Sequence, residues 1–230
     1  MKSHYPLPAE RRSVATVLID SGCVSVRTDE PFRLPSGWAS PVYMDCRRLI
    51  SYPAARNAIL AQGAELLRGG GALDDVDGIA GGESSGIALA AWLADSLDVP
   101  MHYVRKRAAG DRPVEGVVHA GDRIVLVDDA MAVGQSKVRF CKALADSGAV
   151  VNDILVVFAY DTFPLAKELT ASNVNVHALA TWQDVLAVAR ERGDFAEAAI
   201  GELDGFLNDS VGWSQVHGGL GPATGSVSFA

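Results

Sequence analysis

Residues 123–136 read R-I-V-L-V-D-D-A-M-A-V-G-Q-S: an unbroken aliphatic run, two acidic residues, and a turn of small side chains that opens onto a helical pattern at about 136–147. A strand with no polar alternation is buried on both faces, so it belongs in a sheet that helices cover on both sides. The surrounding chain repeats the pattern. Strands are expected at 76–80 (V-D-G-I-A), 100–105, 154–160 (I-L-V-V-F-A-Y) and 174–180 (V-N-V-H-A-L-A). Helices are expected from Pro53 to about Arg68 and at about 86–97, 164–171 and 182–192, with a polar loop from Lys106 to Pro113. Apolar strands alternating with helices specify an α/β fold with a parallel sheet flanked by helices.

The ends of the chain read differently. Val14, Val17 and Leu18 have helical spacing behind Pro8 and Glu10, and residues 24–50 read as short strands and turns. The chain therefore divides into an N-terminal helix with small strands (1–50), a core (51–195) and a glycine-rich extension (196–230). Seven glycines in the last thirty residues leave that extension either a loose tail or a layer on the body.

Composition narrows the partners. The 230 residues carry 20 Lys+Arg against 28 Asp+Glu, a net charge of −8, so no general basic field exists to hold a nucleic acid. Three cysteines without metal or redox spacing fit a reducing, cytoplasmic setting. Arg11-Arg12 resembles an export signal, but the apolar run behind it breaks at Asp20 and Gly22. No stretch approaches the roughly 20 apolar residues that cross a bilayer, so no membrane partner is expected. The histidines have no metal-site spacing, so no structural metal is expected.

Ligands of open parallel sheets bind beyond the carboxyl ends of the strands, which directs attention to three loops. After Asp128-Asp129, the turn Ala130, Met131, Ala132, Val133, Gly134, Gln135 and Ser136 offers backbone N–H groups and a helix N-terminus to a phosphate monoester. The two carboxylates suit sugar hydroxyls or a hydrated cation beside it, although the same residues also make an ordinary helix cap. The second loop, G-G-E-S-S-G at 81–86, could face a pyrophosphate or be only a tight turn. The third, R-K-R-A-A-G-D-R-P at 105–113, puts four cations in nine residues: a solvated charged face, an anion clamp or a lid. Neither G-x-x-x-x-G-K-[ST] nor G-x-G-x-x-G is present.

Beyond these readings, F-R-L-P-S-G-W-A-S-P-V-Y-M-D-C-R-R-L-I-S (32–51), G-G-E-S-S-G-I, Y-V-R-K, V-E-G and I-V-L-V-D-D occur in an order and spacing that resemble the orotate phosphoribosyltransferases. The resemblance covers roughly residues 10–195. The two-aspartate strand alone would indicate only the wider type I phosphoribosyltransferases. It implies a five-stranded parallel sheet with a small N-terminal hood, and a homodimer whose mobile loop reaches the neighbouring site. The implied reaction joins orotate, a pyrimidine base, to 5-phosphoribosyl 1-pyrophosphate with Mg²⁺, the metal being held mainly by substrate. By position, Asp128 and Asp129 would bind ribose hydroxyls, and Ala130 to Ser136 the 5′-phosphate. Gly81, Gly82, Glu83, Ser84 and Ser85 would face the pyrophosphate with Arg105 and Lys106. Phe32, Ser36 and Gly37 would lie near the base.

Some positions differ from the family pattern. Ala109 and Asp111 stand near an expected lysine and histidine of the lid, where Arg107 or Arg112 would supply the cation. Ala132 and Val133 replace threonines, Trp38 and Ala39 follow Gly37 where a basic residue is common, and Thr162 stands where many members have arginine. Three readings follow: an orotate phosphoribosyltransferase, a phosphoribosyltransferase for another base, or a ribose-phosphate-binding regulator of the same fold.

Overall fold

The computed structural model describes residues 3–4, 8–109 and 112–221. A short strand β1 (Ser3–His4) precedes helix α1 (Pro8–Asp20). The hood follows as β2 (Val24–Val26), β3 (Phe32–Arg33), β4 (Ala39–Ser40) and β5 (Val42–Met44). These form two antiparallel pairs, β2 with β5 and β3 with β4. Residues Cys46–Ser51, expected as strand or turn, instead form a 3-10 helix that buries Cys46 and Leu49 and leads into α2 (Pro53–Gly69).

The core then alternates β6 (Gly78–Gly82), α3 (Ser85–Leu97), β7 (Met101–Ala109), β8 (Arg112–Glu115), β9 (Ile124–Met131) and α4 (Gln135–Asp146). It continues through β10 (Asp153–Ala159), α5 (Lys167–Ala171), β11 (Asn175–Thr181) and α6 (Trp182–Arg192). The main sheet runs β1-β11-β10-β9-β6-β7-β8, parallel throughout except where β8 returns antiparallel to β7. Burial explains the apolar strands: every residue of β6 and β10 is buried. One core layer joins α1, α2, α3, α6 and the hood to one face, and a second joins α4 and α5 to the other.

Two expectations change. The five expected strands are present, but β1 and β8 bring the sheet to seven, because Ser3–His4 pair with Val176 and His177 of β11. The Lys106–Pro113 stretch is not a loop but most of a hairpin, since β7 runs to Ala109 and β8 starts at Arg112. Tyr103 pairs with Glu115, Val104 with Val114, and Arg105 Nε donates to Glu115 Oε1 at 2.7 Å across the ladder. Arg105, Lys106 and Arg107 are thus carried by a strand, and the acidic partner of Arg105 lies ten residues on. Gly110 and Asp111 lie outside the described residues.

Beyond residue 196 the described chain forms α7 (Glu197–Asn208) and α8 (Ser210–Val216). Leu203 and Phe206 of α7 are fully buried against the body. No described helix is long and apolar enough to cross a membrane.

Candidate functional site

The parallel strands deliver their carboxyl ends to one edge of the sheet, where the first two sequence-predicted loops meet. Gly81 of β6 pairs with Val127 of β9, which sets Gly82 beside Asp128. A Cβ on Gly82 would lie 2.4 Å from Phe140 Cε2 and 3.2 Å from Asp128 Oδ2; on Gly86 it would lie 2.4 Å from the Val127 carbonyl oxygen. Those two glycines are what let α3 and α4 close on the aspartates. Gly134 holds φ +84 at the start of α4, and Ala166 N donates to Val133 O at 2.7 Å, so the turn is tied from both sides.

The helix N-termini at this edge are unequal. On α6 a capping box occupies the orphan donors: Thr181 N donates to Asp184 Oδ2 at 2.7 Å, and Arg11 pairs with the same carboxylate. By contrast α3, starting behind Ser84, and α4, starting behind Gly134, have no side-chain cap. Their unsatisfied N–H groups and positive dipole ends flank the aspartates, an arrangement suited to two anionic groups on one ligand. Backbone donors therefore persist where Ala132 and Val133 lack hydroxyls.

The two aspartates are not equivalent. Asp128 is buried and its Oδ2 lies 2.7 Å from Lys137 Nζ, with side chains 8% and 4% exposed. Lys137 Nζ also donates to the Ala130 carbonyl. Asp128 Oδ1 accepts from Asp129 N at 2.9 Å, so this carboxylate is largely engaged within the protein. Asp129 is half-buried, and its acidity is weakened: burial first, then the neighbouring Asp128 charge, pushes its carboxyl up to about 6. Sequence reading missed Lys137. The available signal was its place with Phe140 and Leu144 at i, i+3 and i+7 on the buried face of α4, where an isolated ammonium is costly without a carboxylate.

Glu83 bridges the second loop and the hairpin: its N–H donates to Val104 O at 2.9 Å, and its Oε2 accepts from Lys106 N at 2.6 Å. Arg105 is held along the hairpin by Glu115 and by the Tyr103 hydroxyl, 3.3 Å from Nη2. Lys106 and Arg107 are exposed. Arg112 begins the return strand, paired with Ala109.

The hood closes over the other side. Met44 N donates to the Tyr160 hydroxyl at 3.2 Å, and Arg47 and Tyr160 both feel the Asp129 charge. Phe32 packs on Tyr43 at 5.5 Å between ring centres, with the Arg27 guanidinium 4.3 Å over its ring. Ser36 Oγ is buried with no hydrogen-bond partner among the described residues, and Gly37 holds φ +90. Trp38 faces inward, stacked 4.8 Å from Phe163. Thr162 Oγ1 is likewise buried and unpartnered among the described residues. Phe32, Ser36 and Gly37 thus belong to the hood, while the aspartates, both phosphate-type loops and the hairpin gather at the sheet edge.

Other reactive groups stay out of the site's chemistry. Burial pushes the thiols up, Cys23 to about 11, Cys141 to about 12 and Cys46 well above its ordinary value, so none is a ready thiolate. No group of three or more His, Cys, Asp or Glu among the described residues could enclose a metal ion.

No family profile matches the chain. Individual proteins do. It is 41% identical over 212 residues to an orotate phosphoribosyltransferase of Sinorhizobium fredii, covering 90% of this chain and 91% of that one. It is 39% identical over 218 residues to that of Dinoroseobacter shibae, covering 93% and 96%. Among solved structures, orotate phosphoribosyltransferase from Aeropyrum pernix aligns with a TM-score of 0.65 at 30% identity, over 80% of this chain and 99% of that one. Leishmania donovani UMP synthase aligns with a TM-score of 0.77 at 27% identity over 87% of this chain, which spans 43% of that longer protein. Sequence identity at this level over nine-tenths of both chains, on a shared α/β sheet with the aspartate strand at its site edge, places this chain in the orotate phosphoribosyltransferase family.

Proposed function

We propose that this chain transfers the 5-phosphoribosyl group from 5-phosphoribosyl 1-pyrophosphate to orotate, releasing pyrophosphate and orotidine 5′-monophosphate. The observation that carries the reading is the convergence of two uncapped helix N-termini on the half-buried Asp129, in a member of this family. A bond forms between a base nitrogen and C1′ as the C1′–oxygen bond to pyrophosphate breaks. Charge builds on the leaving group while the ribose turns oxocarbenium-like, so catalysis requires fixed donors at the phosphates and exclusion of water from C1′.

Each group has a role on this reading. The α4 turn, Ala130 to Ser136, holds the 5′-phosphate. Gly81 to Ser85 and the N-terminus of α3 hold the pyrophosphate, with Arg105, Lys106, Arg107 and Arg112 of the hairpin covering it. Asp129 accepts hydrogen bonds from ribose hydroxyls. Asp128, tied to Lys137, fixes the turn and the aspartate beside it.

Mg²⁺ fits as an ion that arrives on the diphosphate and keeps several waters. The donor set supports this: Asp128 is already neutralised by Lys137, leaving Asp129 the available carboxylate of the pair. When bound, the ion supplies charge neutralisation to the leaving pyrophosphate. A homodimer in the cytoplasm, each hairpin reaching across to its neighbour, completes the proposal.

The test is a spectrophotometric assay of orotate consumption with Mg²⁺ and 5-phosphoribosyl 1-pyrophosphate, run beside uracil, adenine and guanine. Orotate alone should be consumed. Turnover of another base in its place overturns the substrate assignment. Tight phosphoribosyl pyrophosphate binding with no turnover of any base overturns the enzyme reading.

A further inference from the structure

The C-terminal helices reach the hood by contacts far too distant in sequence to arise locally. Ala39 N donates to Ser214 Oγ at 3.0 Å, a fully buried contact across 175 residues. Leu220 N donates to Gly37 O at 3.2 Å. Ser210 Oγ donates to the Thr162 carbonyl. An aromatic relay binds the same parts: Trp38 on Phe163 at 4.8 Å, Phe163 on Phe206 at 5.6 Å, and Phe206 on Trp213 at 5.5 Å. Gly219 passes so close that a Cβ would sit 2.4 Å from both Ala39 N and Ser214 Oγ.

The two segments clasped in this way, 36–39 and 162–163, each carry a buried hydroxyl without a hydrogen-bond partner among the described residues, Ser36 Oγ and Thr162 Oγ1. The clasp from the C-terminal helices lands on 36–39 and 162–163, while the phosphate turn is tied to residues on either side of the second segment, Tyr160 N donating to Met131 O at 2.8 Å and Ala166 N to Val133 O at 2.7 Å. We infer that α7, α8 and the following turn form a strap that positions residues 36–39 of the hood and 162–163 beside it for recognition of the base, with Ser214 and Gly219 as specificity-determining positioning residues that leave phosphoribosyl pyrophosphate binding untouched. This rests on the proposed reaction and on the expectation, carried by the family resemblance, that the base lies near Ser36 and Gly37.

Two measurements test it. In the wild-type protein, orotidine 5′-monophosphate should slow amide hydrogen exchange in residues 210–221 as well as 34–40, whereas phosphoribosyl pyrophosphate alone should leave 210–221 unchanged. Ser214→Ala strands the Ala39 N–H in a buried site, which predicts a rise of about tenfold in KM for orotate. KM for phosphoribosyl pyrophosphate should move less than about twofold, and Gly219→Ala should behave likewise. Exchange at 210–221 that ignores the nucleotide, or a Ser214→Ala variant in which both KM values rise together or neither does, overturns the inference. If the variants fail to fold, the wild-type exchange result decides alone. If wild-type protein does not consume orotate at all, the proposed reaction fails instead, a separate outcome.

Discussion

Lys137→Met removes the ammonium and keeps most of the apolar stem. The ion pair it breaks is almost dry, with Nζ 2.7 Å from Asp128 Oδ2. Stripping one partner from a buried pair costs about 3–5 kcal/mol. The destabilisation should therefore be near 4 kcal/mol at pH 7, about 8–16 °C in Tm for a chain of this size. Urea unfolding followed by circular dichroism measures it. Asp128→Asn combined with Lys137→Met should recover much of the stability at pH 7 without restoring turnover. A loss below about 1 kcal/mol at pH 7 would mean that the pair is not a buried ionic lock.

Other expectations follow from the same geometry. Asp129 loses its acceptor role when protonated, so kcat/KM for phosphoribosyl pyrophosphate should fall as pH drops below about 6; Asp129→Asn should be slow and lack that limb. The folded chain keeps this proton to higher pH than the unfolded one, so the aspartate's contribution to stability declines between pH 3.8 and about 6. Asp129→Asn should consequently be at least as stable as wild type at pH 7 by urea unfolding, and a clear loss would contradict the assignment. Gly82→Ala drives a methyl into Phe140 beside Asp128, which should cost about 1–3 kcal/mol of stability and raise KM for phosphoribosyl pyrophosphate. Lys106→Ala and Arg107→Ala, on exposed residues, should lower kcat about ten- to a hundredfold with unchanged Tm, and Arg112→Ala tests the cation of the return strand; unaltered kinetics in all three would remove these three cations from catalysis.

How much of this was legible in the sequence depended on whether a local pattern and its partner lay close together. The strands at Ile124–Met131 and Asp153–Ala159 are apolar because both faces are covered, and that information sits in the strand itself. The hairpin was misread because Arg105, Lys106 and Arg107 look like a solvated run until Glu115 and Val114 are set opposite them. The two aspartates could be located but not told apart, since what separates them is Lys137 on the next helix. Glycine content left residues 196–230 open between a loose tail and a layer on the body; Phe206 and Ser214 decide it, anchoring two helices through partners at Phe163 and Ala39 that no sequence window contains.

The clasp between Ala39 and Ser214 also bears on how the molecule comes together. The proposed ribose and phosphate groups lie in one stretch, residues 78–137, whose glycine loops and aspartates are joined by neighbouring strands. The hood's side waits for a contact spanning 175 residues. Contacts of such wide separation bear a large loop-closure entropy and form slowly. During refolding, and at the end of synthesis, the protein should acquire its grip on a sugar phosphate before its ability to discriminate among bases.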